Sequence, residues 1–99
     1  MASGGTRIKN GSVVGTGAAL SVRTVGFRPR KVELINKSSS DKLTWTESMA
    51  DAAGHKQVAA GTSSFITSNG ITPLSDGFTI GADTDLNVSG EDVYWTAHE

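Results

Sequence analysis

An all-β fold is what this sequence predicts: a small antiparallel β-sandwich of jelly-roll or immunoglobulin-like kind, with about seven short strands. Three observations carry that expectation. Apolar residues mostly alternate with polar ones, which is the period of a strand rather than of a helix. Gly, Ser, Asn and Asp clusters break the chain into short segments, at the spacing of about 8–12 residues usual for sandwiches and barrels. Only one stretch looks helical, and at five or six residues it is too short to be stable without tertiary packing.

Residues 1–11 contain only Ile8 as an apolar position beyond the first two. They are predicted to be a flexible or partner-ordered arm, with the sandwich domain occupying residues 12–99. Ser12-Val13-Val14-Gly15 and Ala18-Ala19-Leu20-Ser21-Val22 are short candidate strands parted by Gly15-Thr16-Gly17. Residues 31–37 form a better one, with Val32 and Leu34 on one face and Glu33 on the other. Pro29 just before it suits a strand start, where no ladder N–H is needed.

Ser38-Ser39-Ser40-Asp41 is a polar turn. Residues 42–47 then alternate cleanly, Leu43 and Trp45 against Thr44 and Thr46, so residues 31–37 and 42–47 are predicted to form a hairpin. Residues 48–54 suggest a loop with one helical turn, capped by Ser48 and ended by Gly54. Residues 55–58 and 64–67 read as strands around Ala60-Gly61-Thr62. Asn69-Gly70 is a turn signal, and Pro73 opposes a regular central strand across it. Gly77-Phe78-Thr79-Ile80-Gly81 is a short strand. Residues 92–98 close the chain, with Val93, Trp95 and Ala97 on one face and Tyr94, Thr96 and His98 on the other.

Composition bounds the function. At 99 residues the chain has single-domain length, and a core this small buries only about 60–65% of the unfolded surface. The hydrophobic share is 36%, and the 12 glycines bring it close to a globular composition. Without cysteine there is no disulfide or thiolate metal site to staple the fold. Small unstapled scaffolds often gain stability by oligomerising, so a dimer or trimer is expected. No apolar run approaches the roughly 20 residues of a membrane helix, and the first residues lack a signal-peptide core. The expectation is a soluble protein made in a reducing compartment, with no membrane partner.

The net charge of −1 hides an asymmetry. Arg7, Lys9, Arg23, Arg28, Arg30 and Lys31 precede any acid, whereas all ten acids follow Val32 and only Lys37, Lys42 and Lys56 accompany them. Two readings stand. The basic segment grips an acidic partner surface, or the two halves pair with each other within the fold or between subunits. Nucleic acid is not the expected partner. The bases are dispersed and Phe27 is the only aromatic among them, whereas single-strand binders interleave several.

No metal, cofactor or catalytic centre is expected. His55 and His98 are the only histidines, and neither has a paired ligand spacing. Asp83-Thr84-Asp85-Leu86-Asn87 starts like a calcium loop, but Val88 stands where that loop requires Gly and Tyr94 where it requires Glu. No Gly-x-Ser-x-Gly elbow occurs, and Gly15-Thr16-Gly17 lacks the remainder of a phosphate loop. The six large aromatics are expected to fill the core, except that alternation turns Tyr94 away from Trp95, as a candidate subunit-interface residue.

The residues do carry a resemblance. The run Gly26-Phe27-Arg28-Pro29-Arg30-Lys31-Val32, then Asn36, then Trp45-Thr46-Glu47-Ser48-Met49-Ala50-Asp51, then Gly70-Ile71-Thr72-Pro73, resembles small virion proteins of tailed bacteriophages. So does the ending Gly77-Phe78-Thr79-Ile80-Gly81 with Asp85-Leu86-Asn87-Val88-Ser89-Gly90-Glu91 and Val93-Tyr94-Trp95. The resemblance spans roughly residues 15–99 and is greatest to head decoration, or cement, proteins; the same ending also occurs in tail-associated phage proteins. It implies a non-enzymatic β-rich protein on the outer phage head, made in the host cytoplasm, whose partner is the major capsid protein. Combined with the charge layout, it makes Arg7, Lys9, Arg23, Arg28, Arg30 and Lys31 the candidate capsid-binding residues. A tail or fibre protein that binds a host surface is the alternative.

Overall fold

A computed structural model describes residues 7–58 and 61–99. Its eight strands are β1 (Ile8–Val14), β2 (Leu20–Val22), β3 (Lys31–Asn36), β4 (Lys42–Thr46), β5 (Ala53–Gln57), β6 (Ser63–Leu74), β7 (Gly77–Ile80) and β8 (Asp92–His98). They form one sheet in the order β1-β8-β3-β4-β5-β6-β7-β2, and every neighbouring pair is antiparallel. The all-β class is as predicted, with eight strands rather than seven. The sheet curls around a single core and is nearly closed, β1 and β2 being its two margins.

The core follows from alternation. Val32 and Leu34 of β3, Leu43 and Trp45 of β4, and Val93, Trp95 and Ala97 of β8 all point inward and are buried. They meet Ile71 of β6 and Phe78 and Ile80 of β7, with Phe78 edge-on to Trp95 at 5.5 Å. The connections add Val25, Phe27 and Leu86. Each such large side chain contributes about 1.5–3 kcal/mol by leaving water.

Three expectations need correction. The predicted arm, residues 1–11, overlaps the sheet: residues 8–11 belong to β1, which pairs with β8 from Ile8↔His98 to Val14↔Asp92, while residues 1–6 lie outside the described residues. This strand needs no buried stripe of its own, because the backbone ladder to β8 holds it. Gly11 is the other reason: a Cβ there would stand 2.8 Å from Cζ2 of Trp95, so the indole lies across a bare backbone.

Residues 48–52 form turns rather than a helical turn, and Gly54 lies in β5. Glycine is tolerated poorly in a helix and serves well where strands approach closely. Asn69-Gly70 is not a hairpin turn either. It sits within β6 as a bulge, because Gly54 pairs with Ile66 while Ala53 pairs with Ile71. Asn69 takes a left-handed φ of 62°, and a Cβ on Gly70 would be 2.0 Å from the Ala53 carbonyl oxygen. Pro73 fits near the end of β6 because the β5 ladder has stopped at Ile71, so no donor is required of it there.

Candidate functional site

The antiparallel ladder converts the charge asymmetry of the sequence into a polarity along the molecule. Ile8, His98, Lys31 and Thr46 stand in one row across β1, β8, β3 and β4. The same end therefore holds the start of β1, the end of β8, the start of β3 and the end of β4. Residues 23–30 stay at this end. The Gly26 N–H donates to the Asp76 carbonyl, Arg30 N–H to that of His98, and Glu47 N–H to that of Arg30. All six predicted binding residues, Arg7, Lys9, Arg23, Arg28, Arg30 and Lys31, thus lie at one end, against the carboxylates of Glu47, Asp51, Asp76 and Glu99. The opposite end carries Asp41, Asp83, Asp85, Glu91 and Asp92 against Lys37, Lys42 and Lys56.

The cations are held loosely. Arg7 makes the best pair, a two-pronged contact with Glu99 whose Nε–Oε1 distance is 3.0 Å, and its guanidinium lies 5.0 Å from the Phe27 ring centre. The hydrogen bonds from Arg7 hold the Glu99 carboxyl below its ordinary pKa, and Glu99 in turn raises that of Arg7. Arg23 reaches Asp76 at 3.0 Å, and Lys9 donates to the Thr24 carbonyl at 2.7 Å. Arg30 stands 3.9 Å from Glu47 and Lys31 3.7 Å from Glu33. Among the described residues Arg28 has no ion-pair partner. Exposed pairs of this kind contribute little to stability, so a partner's carboxylates can replace them.

Arg28 and Arg30 open onto a cleft of about 510 Å³. Glu47, Asp51 and Glu99 share its walls, and Trp45, Met49, Pro29 and Pro73 supply its apolar part. The cleft thus sets two arginines against three carboxylates over a short apolar floor. The sequence separates these residues widely; only the strand order shows that they meet.

Tyr94 lies away from this end, on the outer face of the sheet and 44% exposed, between Ser12 of β1 and Ile35 of β3. Phe65 is the exposed aromatic that the sequence reading missed. It is 74% exposed on β6, with His55 of β5 at 4.9 Å. The polar alternation Ser63-Ser64-Phe65-Ile66-Thr67 already places Phe65 on the side of Ser63 and Thr67. Among the described residues no three His, Cys, Asp or Glu side chains gather as a metal site would need.

The motif behind the phage resemblance is largely structural. Asn36 is fully buried; its amide donates to the Leu86 carbonyl and Glu91, and its oxygen accepts from the N–H groups of Ser38 and Ser39. Asn87 accepts from Thr16 N–H and donates to the carbonyls of Ala18 and Gly81. Asp83 caps its own turn by accepting from the N–H groups of Asp85 and Leu86. Lys56 bridges Asp83 at 2.9 Å and Asp85 at 2.6 Å. Burial works against its ammonium, but the bonds to Asp85 and Asp83 outweigh that and raise its pKa. These residues tie three connections together at the acidic end. No protein-family model, curated protein or solved structure matches this chain.

Proposed function

We propose that this chain is a non-enzymatic virion protein of a tailed phage, which decorates the head by docking its basic end onto acidic surface of the major capsid protein. The observation that carries this reading is the convergence of six cations at one end of the scaffold, four of them in exposed and replaceable ion pairs, Lys9 on a backbone carbonyl and Arg28 without an ion-pair partner among the described residues. The resemblance of residues 15–99 to decoration proteins supplies the identity of the partner.

Docking that favours the expanded shell stabilises it by mass action at every site. Many weak copies on a lattice then act together, and a homo-oligomer at a symmetry axis adds avidity. Binding of this kind weakens with salt, since exposed charges about 10 Å apart are screened at 0.1 M.

Charge reversal is the direct test. Removing residues 1–11 would also strip much of β1 from β8, whereas R28E/R30E leaves every strand in place. Undecorated expanded heads are mixed with wild type or R28E/R30E protein and sedimented. Occupancy is expected to fall at least tenfold for the variant at matched concentration. Equal occupancy overturns the reading. A tail or fibre role draws on the exposed Phe65 beside His55, which suits a host-surface contact. Copy number separates the two: hundreds per particle mark a shell component, and a handful mark the tail.

A further inference from the structure

We propose that the free edge of β1 is a self-pairing surface, through which two copies of this chain join antiparallel about a two-fold axis at Gly11. The inference stands apart from the capsid reading and does not depend on it.

The ladder to β8 fixes which backbone groups are free. Glu99 N–H donates to the Arg7 carbonyl and Gly15 N–H to that of Glu91, so odd-numbered residues of β1 face β8. Ile8, Asn10, Ser12 and Val14 therefore direct their N–H and C=O groups outward. All four residues are exposed, and among the described residues none of those groups has a partner. This seven-residue margin has no proline, and its one guarding charge, Lys9, is engaged by the Thr24 carbonyl at 2.7 Å rather than standing at the free backbone groups.

The sequence of β1 is close to self-complementary about its centre. With Gly11 on the axis, Ile8 faces the partner's Val14 and Asn10 faces the partner's Ser12. These are the pairs whose free groups would bond, about eight hydrogen bonds in all. Apolar meets apolar and amide meets hydroxyl on the outer face, where Ile8 is 62% and Val14 55% exposed. On the inner face Lys9 faces the partner's Val13, so no like charges oppose each other, and two bare glycines meet at the axis.

Charge selects the same arrangement. Antiparallel pairing lays the basic end of one copy beside the acidic end of the other, with Arg7 level with the partner's Gly15 and two strand spacings, about 10 Å, from the partner's Glu91. Tyr94, diagonal to Val14 across β1 and β8, then borders the seam. One strand pair buries less than the roughly 1,200–2,000 Å² of a stable complex, so association in the micromolar range or weaker is expected in free solution.

The test uses the absence of native cysteine. Wild type is followed by sedimentation velocity from 10 μM to 1 mM, and a shift toward dimer mass is expected. Asn10→Pro removes an outward N–H and no bond to β8, and should weaken the dimer at least tenfold. Near-ultraviolet circular dichroism checks that this variant keeps its core. Independently, Ile8→Cys and Val14→Cys proteins are mixed and mildly oxidised. The mixture should form disulfide dimers at least tenfold faster than either variant alone. A wild type that stays monomeric throughout, a trimer, or equal cross-linking by a single variant overturns the proposal.

Discussion

The two ends of this molecule use polar residues in opposite ways. At the acidic end Asn36, Asn87 and Asp83 are buried, and their hydrogen bonds run to backbone groups of separate connections. At the basic end Arg7, Arg23, Arg30 and Lys31 form exposed pairs, two of them near 4 Å. Buried polar groups are costly to leave unsatisfied, whereas exposed ion pairs contribute little. One end therefore holds the scaffold and the other remains free to exchange partners.

The sharpest way to break this contrast is Asn36→Ala. It leaves the Leu86 carbonyl and the Ser38 and Ser39 N–H groups without their partner, so a loss of about 3 kcal/mol is expected in urea unfolding. Lys56→Met should follow, with a loss of about 2 kcal/mol, because Asp83 would remain buried without its cation while Asp85 can reach water. At the other end Arg23→Gln should change stability by no more than about 0.5 kcal/mol. A loss at Arg23 equal to that at Asn36 would erase the distinction.

The smallest effect is in pH. Because the folded pKa of Glu99 is depressed, the Arg7 clasp is fully present above the ordinary carboxylate value of 4.5 and is lost as pH falls through the lowered folded value. Lys56 has a raised pKa, so its contribution is complete below the ordinary 10.5 and is lost only as pH rises beyond it. Carboxyl NMR should find a Glu99 midpoint below 4.5 in wild type and a return toward 4.5 in Arg7→Gln.

Much of the core could be read in advance. Alternation located the β3–β4 hairpin and β8, and grouped Val32 with Leu34, Leu43 with Trp45, and Val93 with Trp95 and Ala97 on shared faces, all of which are buried. It failed where backbone pairing, not side-chain burial, makes a strand. Residues 8–11 carry almost no apolar signal, yet they pair along β8. Asn69-Gly70 carried a true local signal, a left-handed residue followed by glycine, but the long-range ladder turned it into a bulge rather than a hairpin. The six cations were visible as a list. Their convergence was not, because it depends on β8 inserting between β1 and β3.

The Arg7–Glu99 clasp has a practical corollary for anyone displaying cargo on this scaffold. A polypeptide fused after Glu99 would emerge amid the arginines and shadow them, so on the docking proposed above such a fusion should mimic a docking defect. An epitope spliced at exposed Thr62, between β5 and β6, would hang from the far pole and leave them clear.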